Sequence, residues 1–196
     1  QLNIPHEDLA LEISKMTSSL LSEAGYSRYE ISNYALPGHA SRHNRVYWSG
    51  VGWWAFGQGS TSAPWGKRFA RPRTKNGYIK WVEDQEKKSY KTSLIGENSE
   101  YFGLDEQLLV GLRRREGVDL EELAISWGWN QKQRDHYLSM LINSWDNSIK
   151  NGLLSNYGMR YYLTDPEGME ISNQVLIEMF SWWENLPSHA VNSPIL

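Results

Sequence analysis

The sequence predicts an α/β region followed by a mainly α-helical one, and three observations support that class. Between residues 5 and 75 an amphipathic stretch runs into an alternating one and then into loops marked by proline and glycine, as in a helix-strand unit with a loop at the strand end. From Asn76 onward helical spacing prevails. Late in that helical part, two short apolar segments flank Asn156–Gly158 and mark one hairpin.

The elements follow in order. Leu9, Ile13, Met16 and Leu20 recur at helical spacing after Pro5 and before Gly25, which predicts a helix with one buried stripe and a glycine stop. Tyr26–Ser32 (YSRYEIS) alternates and predicts a strand. Asn33–Ser41 (NYALPGHAS) carries a Pro-Gly loop signal, and the following HNRVYW is expected on that loop. Gly52–Gly57 (GWWAFG) predicts a further strand entering the glycine-rich loop GQGSTSAPWG, and Arg68–Arg73 a short extended stretch. A helix is expected around Gly77–Glu83. The polar stretch EDQEKKSYKTSLIGENSE then separates the two regions, with the boundary near residue 90, giving domains 1–90 and 91–196.

Beyond it, Glu100–Arg115 predicts one helix and Asp119–Trp127 a second, N-capped by Asp119. Asn130 caps a long helix to about Lys150, with Tyr137, Leu141 and Trp145 on one stripe. The hairpin around Asn156–Gly158 resembles the wing of a winged helix. A last helix over Glu167–Leu186 stops at Pro187, and the tail to Leu196 is expected to fray.

Composition excludes several classes. A hydrophobic fraction of 40% and a charged fraction of 22% describe a globular chain rather than a disordered one, and 196 residues suffice for a sizeable core. No apolar run approaches the ~20 residues that span a bilayer, which leaves at most peripheral membrane contact. The opening QLNIPHEDLALEI has no signal-peptide pattern, and a chain starting at Gln1 is expected to be a fragment. With no cysteine there is no disulfide and no thiolate-held metal within the chain, and a cytoplasmic location is expected. A net charge of -3 gives no general attraction for nucleic acid; anion binding would rest on local clusters such as Arg113–Arg115, or on solvated basic faces with no ligand. Ten Trp and eleven Tyr can fill a core or line a pocket for a large planar ligand.

The candidate site is HNRVYW. His43 can bind iron through a neutral imidazole, Arg42 and Arg45 can pair with carboxylates, and Tyr47 and Trp48 supply aromatic faces. A histidine there can equally be a hydrogen-bonded structural residue. GQGSTS, with Gly57 and Gly59, is either an anion-cradling loop or a tight turn.

Four ordered motifs, GYSRYEISNYALPGHASRHNRVYW, FGQGSTS, LLVGLRRREGVDLEEL and GLLSNYGMRYYLTDPEG, resemble the C-terminal half of the oxygen-independent coproporphyrinogen III oxidase family of radical S-adenosylmethionine proteins. HNRVYW matches the HNxxYW motif of the HemW-type haem chaperones in that family. The resemblance implies the last β/α elements of a partial radical-SAM barrel up to about residue 75, then a helical, winged-helix-like C-terminal domain. It implies His43 as haem-iron ligand, Tyr47 and Trp48 packed on the macrocycle, and Ala35 at a position whose backbone touches S-adenosylmethionine. Gly57 and Gly59 would let the last barrel strand end close to the cofactor cavity. The function implied is a haem chaperone serving haem-accepting apoproteins; the alternative is a coproporphyrinogen III oxidase of porphyrin biosynthesis. The family's [4Fe-4S] motif, CxxxCxxC, has no counterpart here, so this chain alone is expected to be inactive in radical chemistry. FGQGSTS also departs from the family's FGxGAH at Ser60 and Thr61.

Overall fold

A computed structural model describes residues 6–64, 67–87 and 100–191. Two compact units emerge: Gln1–Arg42 together with Leu104–Leu196, and His43–Gly103. The expected boundary near residue 90 lies outside the described residues. The tail expected to fray after Pro187 instead forms a short helix over Ser188–Val191 with Ala190 fully buried, and its remainder from 192 on lies outside the described residues.

The first unit opens with helix α1 (Glu7–Glu23). It stops as glycine chemistry dictates. Gly25 takes φ +84°, its N–H donates to Ser22 O and that of Tyr26 to Leu21 O, the paired reverse bonds of a left-handed glycine cap. The face it presents is not the expected one. Leu9, Ile13, Met16 and Leu20 are 43 to 59% exposed, while Leu11, Ser14, Ser18 and Leu21 are half-buried. Periodicity identified the helix, but a stripe is buried only where a partner element covers it.

Strand β1 (Ser27–Glu30) follows and turns back at once into β2 (Asn33–Ala35), antiparallel, with Ser27 opposite Ala35. The NYA segment expected in the loop is thus a strand. β1 is tied to the end of the chain's helical part by buried charge. Arg28, its side chain 3% exposed, donates to Glu170 and to the Tyr34 hydroxyl, with Asp165 Oδ1 at 3.5 Å. Glu30, almost wholly buried, pairs with Arg113 at 3.4 Å.

The remainder of this unit runs α4 (Leu104–Leu112), β6 (Val118–Asp119), α5 (Leu120–Ser126), α6 (Gln131–Ser144), α7 (Asp146–Lys150), β7 (Leu154–Tyr157), β8 (Arg160–Leu163), α8 (Glu167–Glu170), α9 (Ser172–Glu184) and α10 (Ser188–Val191). Residues 43–103, between β2 and α4 in the chain, make up the second unit. The caps are as predicted: Asp119 accepts from the Glu122 N–H, and Asn130 and Gln133 form a reciprocal capping box. Tyr137, Leu141 and Trp145 are buried together. Three expected helices are corrected. Glu100–Arg115 divides into a short strand and α4; Asn130–Lys150 breaks at Trp145; Glu167–Leu186 breaks at Ile171. At the second break Trp145 sits fully buried with its indole N–H on Val175 O at 3.1 Å, an anchor that fixes where one helix ends and the next begins.

The hairpin β7–β8 pairs antiparallel and β6 adds to it, in the order β6-β8-β7. Much of the aromatic content is core here. Trp127 and Trp129 both donate to Ala190 O, and Trp182 to Tyr137 O, so each buried indole has its acceptor.

In the second unit, helix α2 (Arg42–Trp48) is followed by β3 (Thr61–Ser62), β4 (Lys67–Ala70), α3 (Lys75–Lys87) and β5 (Glu100–Tyr101). The three strands form one antiparallel sheet in the order β3-β4-β5. GWWAFG, expected as a strand, is not one; Trp53 alone exchanges backbone bonds with Ala63. Gly52 explains the tightness, since a Cβ there would lie 2.2 Å from Pro64 O. Every strand pair among the described residues is antiparallel.

Candidate functional site

HNRVYW folds as helix α2 rather than as the expected loop. The Pro37-Gly38 turn, with Gly38 at φ +79° and the His39 N–H on Leu36 O, is complete before Ser41. Nothing from 42 to 48 breaks a helix. It ends where Ser49 donates its N–H to Arg45 O and Gly50 takes φ +71°.

Helical spacing places His43 and Tyr47 one turn apart on one face. Their ring centroids are 4.9 Å apart at an interplanar angle of 69°, an edge contact. His43 is exposed and, among the described residues, its imidazole has no hydrogen-bond partner. Tyr47 and Trp48 are half-buried, whereas Arg42 and Arg45 project to solvent on the same short helix.

Behind Tyr47 lies a line of rings that sequence reading missed. Tyr47 meets Trp53 at 4.7 Å, Trp53 meets Phe102 at 5.5 Å, and the Arg68 guanidinium sits 4.5 Å over the Phe102 ring. The only local signal was the Trp53-Trp54 pair, which read as a strand.

The glycine loop is a tight turn. Gly57 and Gly59 take φ +93° and +70°, and the Ser60 hydroxyl bonds Gly57 O at 2.6 Å. Phe56, just before it, is 85% exposed. Beneath, buried Arg71 donates to the hydroxyls of Ser60 and Ser62, and burial holds its guanidinium below the usual arginine range. Ala35 stands apart from these groups in sequence and unit, at the end of β2.

Among the described residues no group of three His, Cys, Asp or Glu converges to hold a metal ion. A free ion needs three or four protein ligands, whereas a porphyrin iron brings four nitrogens and needs one axial group. A single exposed imidazole with aromatic neighbours fits the second case. With no cysteine, the chain itself offers no thiolate set for an iron-sulfur cluster.

No family model matches the chain. It is 34% identical to the haem chaperone HemW of Synechocystis sp. over 92% of this chain and 46% of that protein. With the haem chaperone HemW of Lactococcus lactis the identity is 27%, covering 89% of this chain and 43% of the relative. Among solved structures, coproporphyrinogen III oxidase (HemN) from Escherichia coli, a radical SAM enzyme, matches with a TM-score of 0.57 at 14% identity, over 89% of this chain and 42% of that one. The fold is thus α/β of the kind found in HemN, and in sequence the chain is similar to the haem chaperones HemW. The chain spans less than half the length of those relatives.

Proposed function

We propose that this chain is the haem-binding part of a cytoplasmic haem chaperone, which holds haem and passes it to apoprotein acceptors. The observation that supports this best is His43, an exposed imidazole with no hydrogen bond among the described residues, edge-on to Tyr47 within HNRVYW. His43 would ligate the iron, Tyr47 and Trp48 would lie against the macrocycle, and Arg42 and Arg45 would face the propionates. In the same reading, the Ala35 backbone would touch S-adenosylmethionine, Gly57 and Gly59 would each leave room for a cofactor at their own turn, and the cluster cysteines are not this chain's to supply. The order α4-β6-α5-α6-α7-β7-β8, with β8 central in the sheet, supports reading the C-terminal part as a winged helix. Its role here is structural; a net charge of -3 and the acidic start of α5 argue against nucleic acid. The oxidase alternative has only the fold in its favour, at 14% identity.

Haem titration followed by Soret absorbance tests the reading. His43→Ala should weaken binding by about tenfold or more and remove the ligated spectrum. Arg45→Ala should cost only about 0 to 1 kcal/mol, as an exposed ion pair does. Wild-type affinity and spectrum in His43→Ala would overturn the assignment.

A further inference from the structure

Beyond the HNRVYW motif, we propose that Trp53 is a positioning residue for haem ligation, acting on His43 through Tyr47. This rests on the reading of His43 as the axial ligand. The problem it addresses is mechanical. His43 sits on a helix of seven residues, too short to be stable by its own backbone bonds, and its ring is exposed. Among the described residues no hydrogen bond fixes that ring; its contact is the edge of Tyr47. Tyr47 is therefore the handle on the imidazole, and what holds Tyr47 sets the direction of the ligand's lone pair.

Trp53 is what Tyr47 rests on, at 4.7 Å, and Trp53 is fixed three ways. Its indole N–H donates to Thr61 O at 3.0 Å, on strand β3. Its backbone N–H and C=O exchange bonds with fully buried Ala63 at 3.3 and 2.9 Å. Phe102 closes the far side of the ring at 5.5 Å, itself covered by Arg68. Glycine at 52 permits the close backbone approach that makes this seat, with Pro64 O where a Cβ would stand. Rigidity passes from the sheet to Trp53, to Tyr47, and so to an imidazole that would otherwise sample its rotamers. The ladder holds the imidazole in one orientation before the iron arrives, so less conformational freedom is lost on ligation.

The test uses the whole chain and haem itself. Trp53→Leu removes the aromatic face; Trp53→Phe keeps it and loses only the indole donor. Trp53→Leu should weaken haem binding on the order of tenfold and broaden the high-spin ferric signal of mono-imidazole haem seen by electron paramagnetic resonance, whereas Trp53→Phe should recover most of both. In the His43→Ala background with external imidazole as ligand, adding Trp53→Leu should change affinity little, because a free imidazole needs no Tyr47 to hold it. An equal loss in both backgrounds means that Trp53 acts by direct contact or by holding the fold, and overturns the proposal. So does a Trp53→Leu protein with wild-type affinity and spectrum. If His43→Ala alone keeps the wild-type spectrum, or the wild-type chain shows no ligated Soret band, the ligand assignment fails and this inference with it. An impaired His43→Ala together with a Trp53→Leu loss seen only when His43 is present supports both readings.

Discussion

Glu170→Gln perturbs the buried charge that joins the two ends of the first unit. Glu170 takes Arg28 Nη2 on one oxygen and the Ser14 hydroxyl on the other, so one side chain from α8 holds both α1 and β1. Arg28 stays charged in the fold: burial opposes the charged form, but Glu170 and the Tyr34 hydroxyl together raise its pKa above the ordinary arginine value. Glutamine keeps the shape and removes the charge, leaving a guanidinium 3% exposed with Asp165 at 3.5 Å as its remaining carboxylate. Breaking a buried pair from one side costs about 3 to 5 kcal/mol, and Asp165 compensates in part, so about 3 kcal/mol is expected. Urea denaturation followed by far-UV circular dichroism reads this as a lowered midpoint. Replacing both partners with apolar residues, Arg28→Met with Glu170→Leu, should cost clearly less than the sum of the single losses, because no charge is then stranded. A loss below about 0.5 kcal/mol in Glu170→Gln, with additive single and double variants, would refute the idea that this pair fastens the unit together.

Asn130→Ala should cost about 1 kcal/mol by removing both halves of its capping box, read as a lowered unfolding midpoint. Gly168→Ala should be worse, about 3 kcal/mol, since the added Cβ would stand 1.8 Å from Leu153 O, backbone that cannot give way cheaply. Burial raises the Tyr161 pKa above its ordinary value of 10.0, so the stability it contributes is complete below pH 10 and falls as pH rises through the folded value. Tyr161→Phe should flatten that alkaline decline in a stability-versus-pH series. Anaerobic reconstitution of this chain with iron and sulfide should yield no four-iron cluster by absorbance, as it has no thiolate. His39→Ala should leave haem titrations unchanged, since His39 follows the Pro37-Gly38 turn outside α2.

Local chemistry was legible in the sequence. The Asp119 and Asn130 caps, the Tyr137–Leu141–Trp145 stripe and the hairpin after Asn151 each depend on residues within a few positions of one another. What escaped reading depends on distant partners. The periodicity of α1 specifies a helix but cannot say that Leu11 and Ser14 face inward while Ile13 and Met16 face out. Arg28 with Glu170, and Glu30 with Arg113, leave no trace in either local sequence. HNRVYW read as a loop because the seven residues of α2 are too few to display a helical period, and the Pro-Gly signal upstream was extended over it. The motif itself was plain; Trp53, which completes the ladder behind it, lies outside the motif and is joined to it only in space.

The pairing of sequence-distant segments in the first unit also sets a clock on folding. Ser14 and Glu170 are 156 residues apart, and Arg28 and Glu170 are 142 apart. A two-stranded hairpin such as β1–β2 is marginal in water by itself, so it settles only when the helices that receive it exist. Synthesis at about 5 to 20 residues per second puts roughly 7 to 30 seconds between the emergence of Arg28 and that of Glu170. During that interval α1, the hairpin and an unmatched cation wait at the ribosome's exit, and the pace of translation, rather than any local propensity, decides how long they wait.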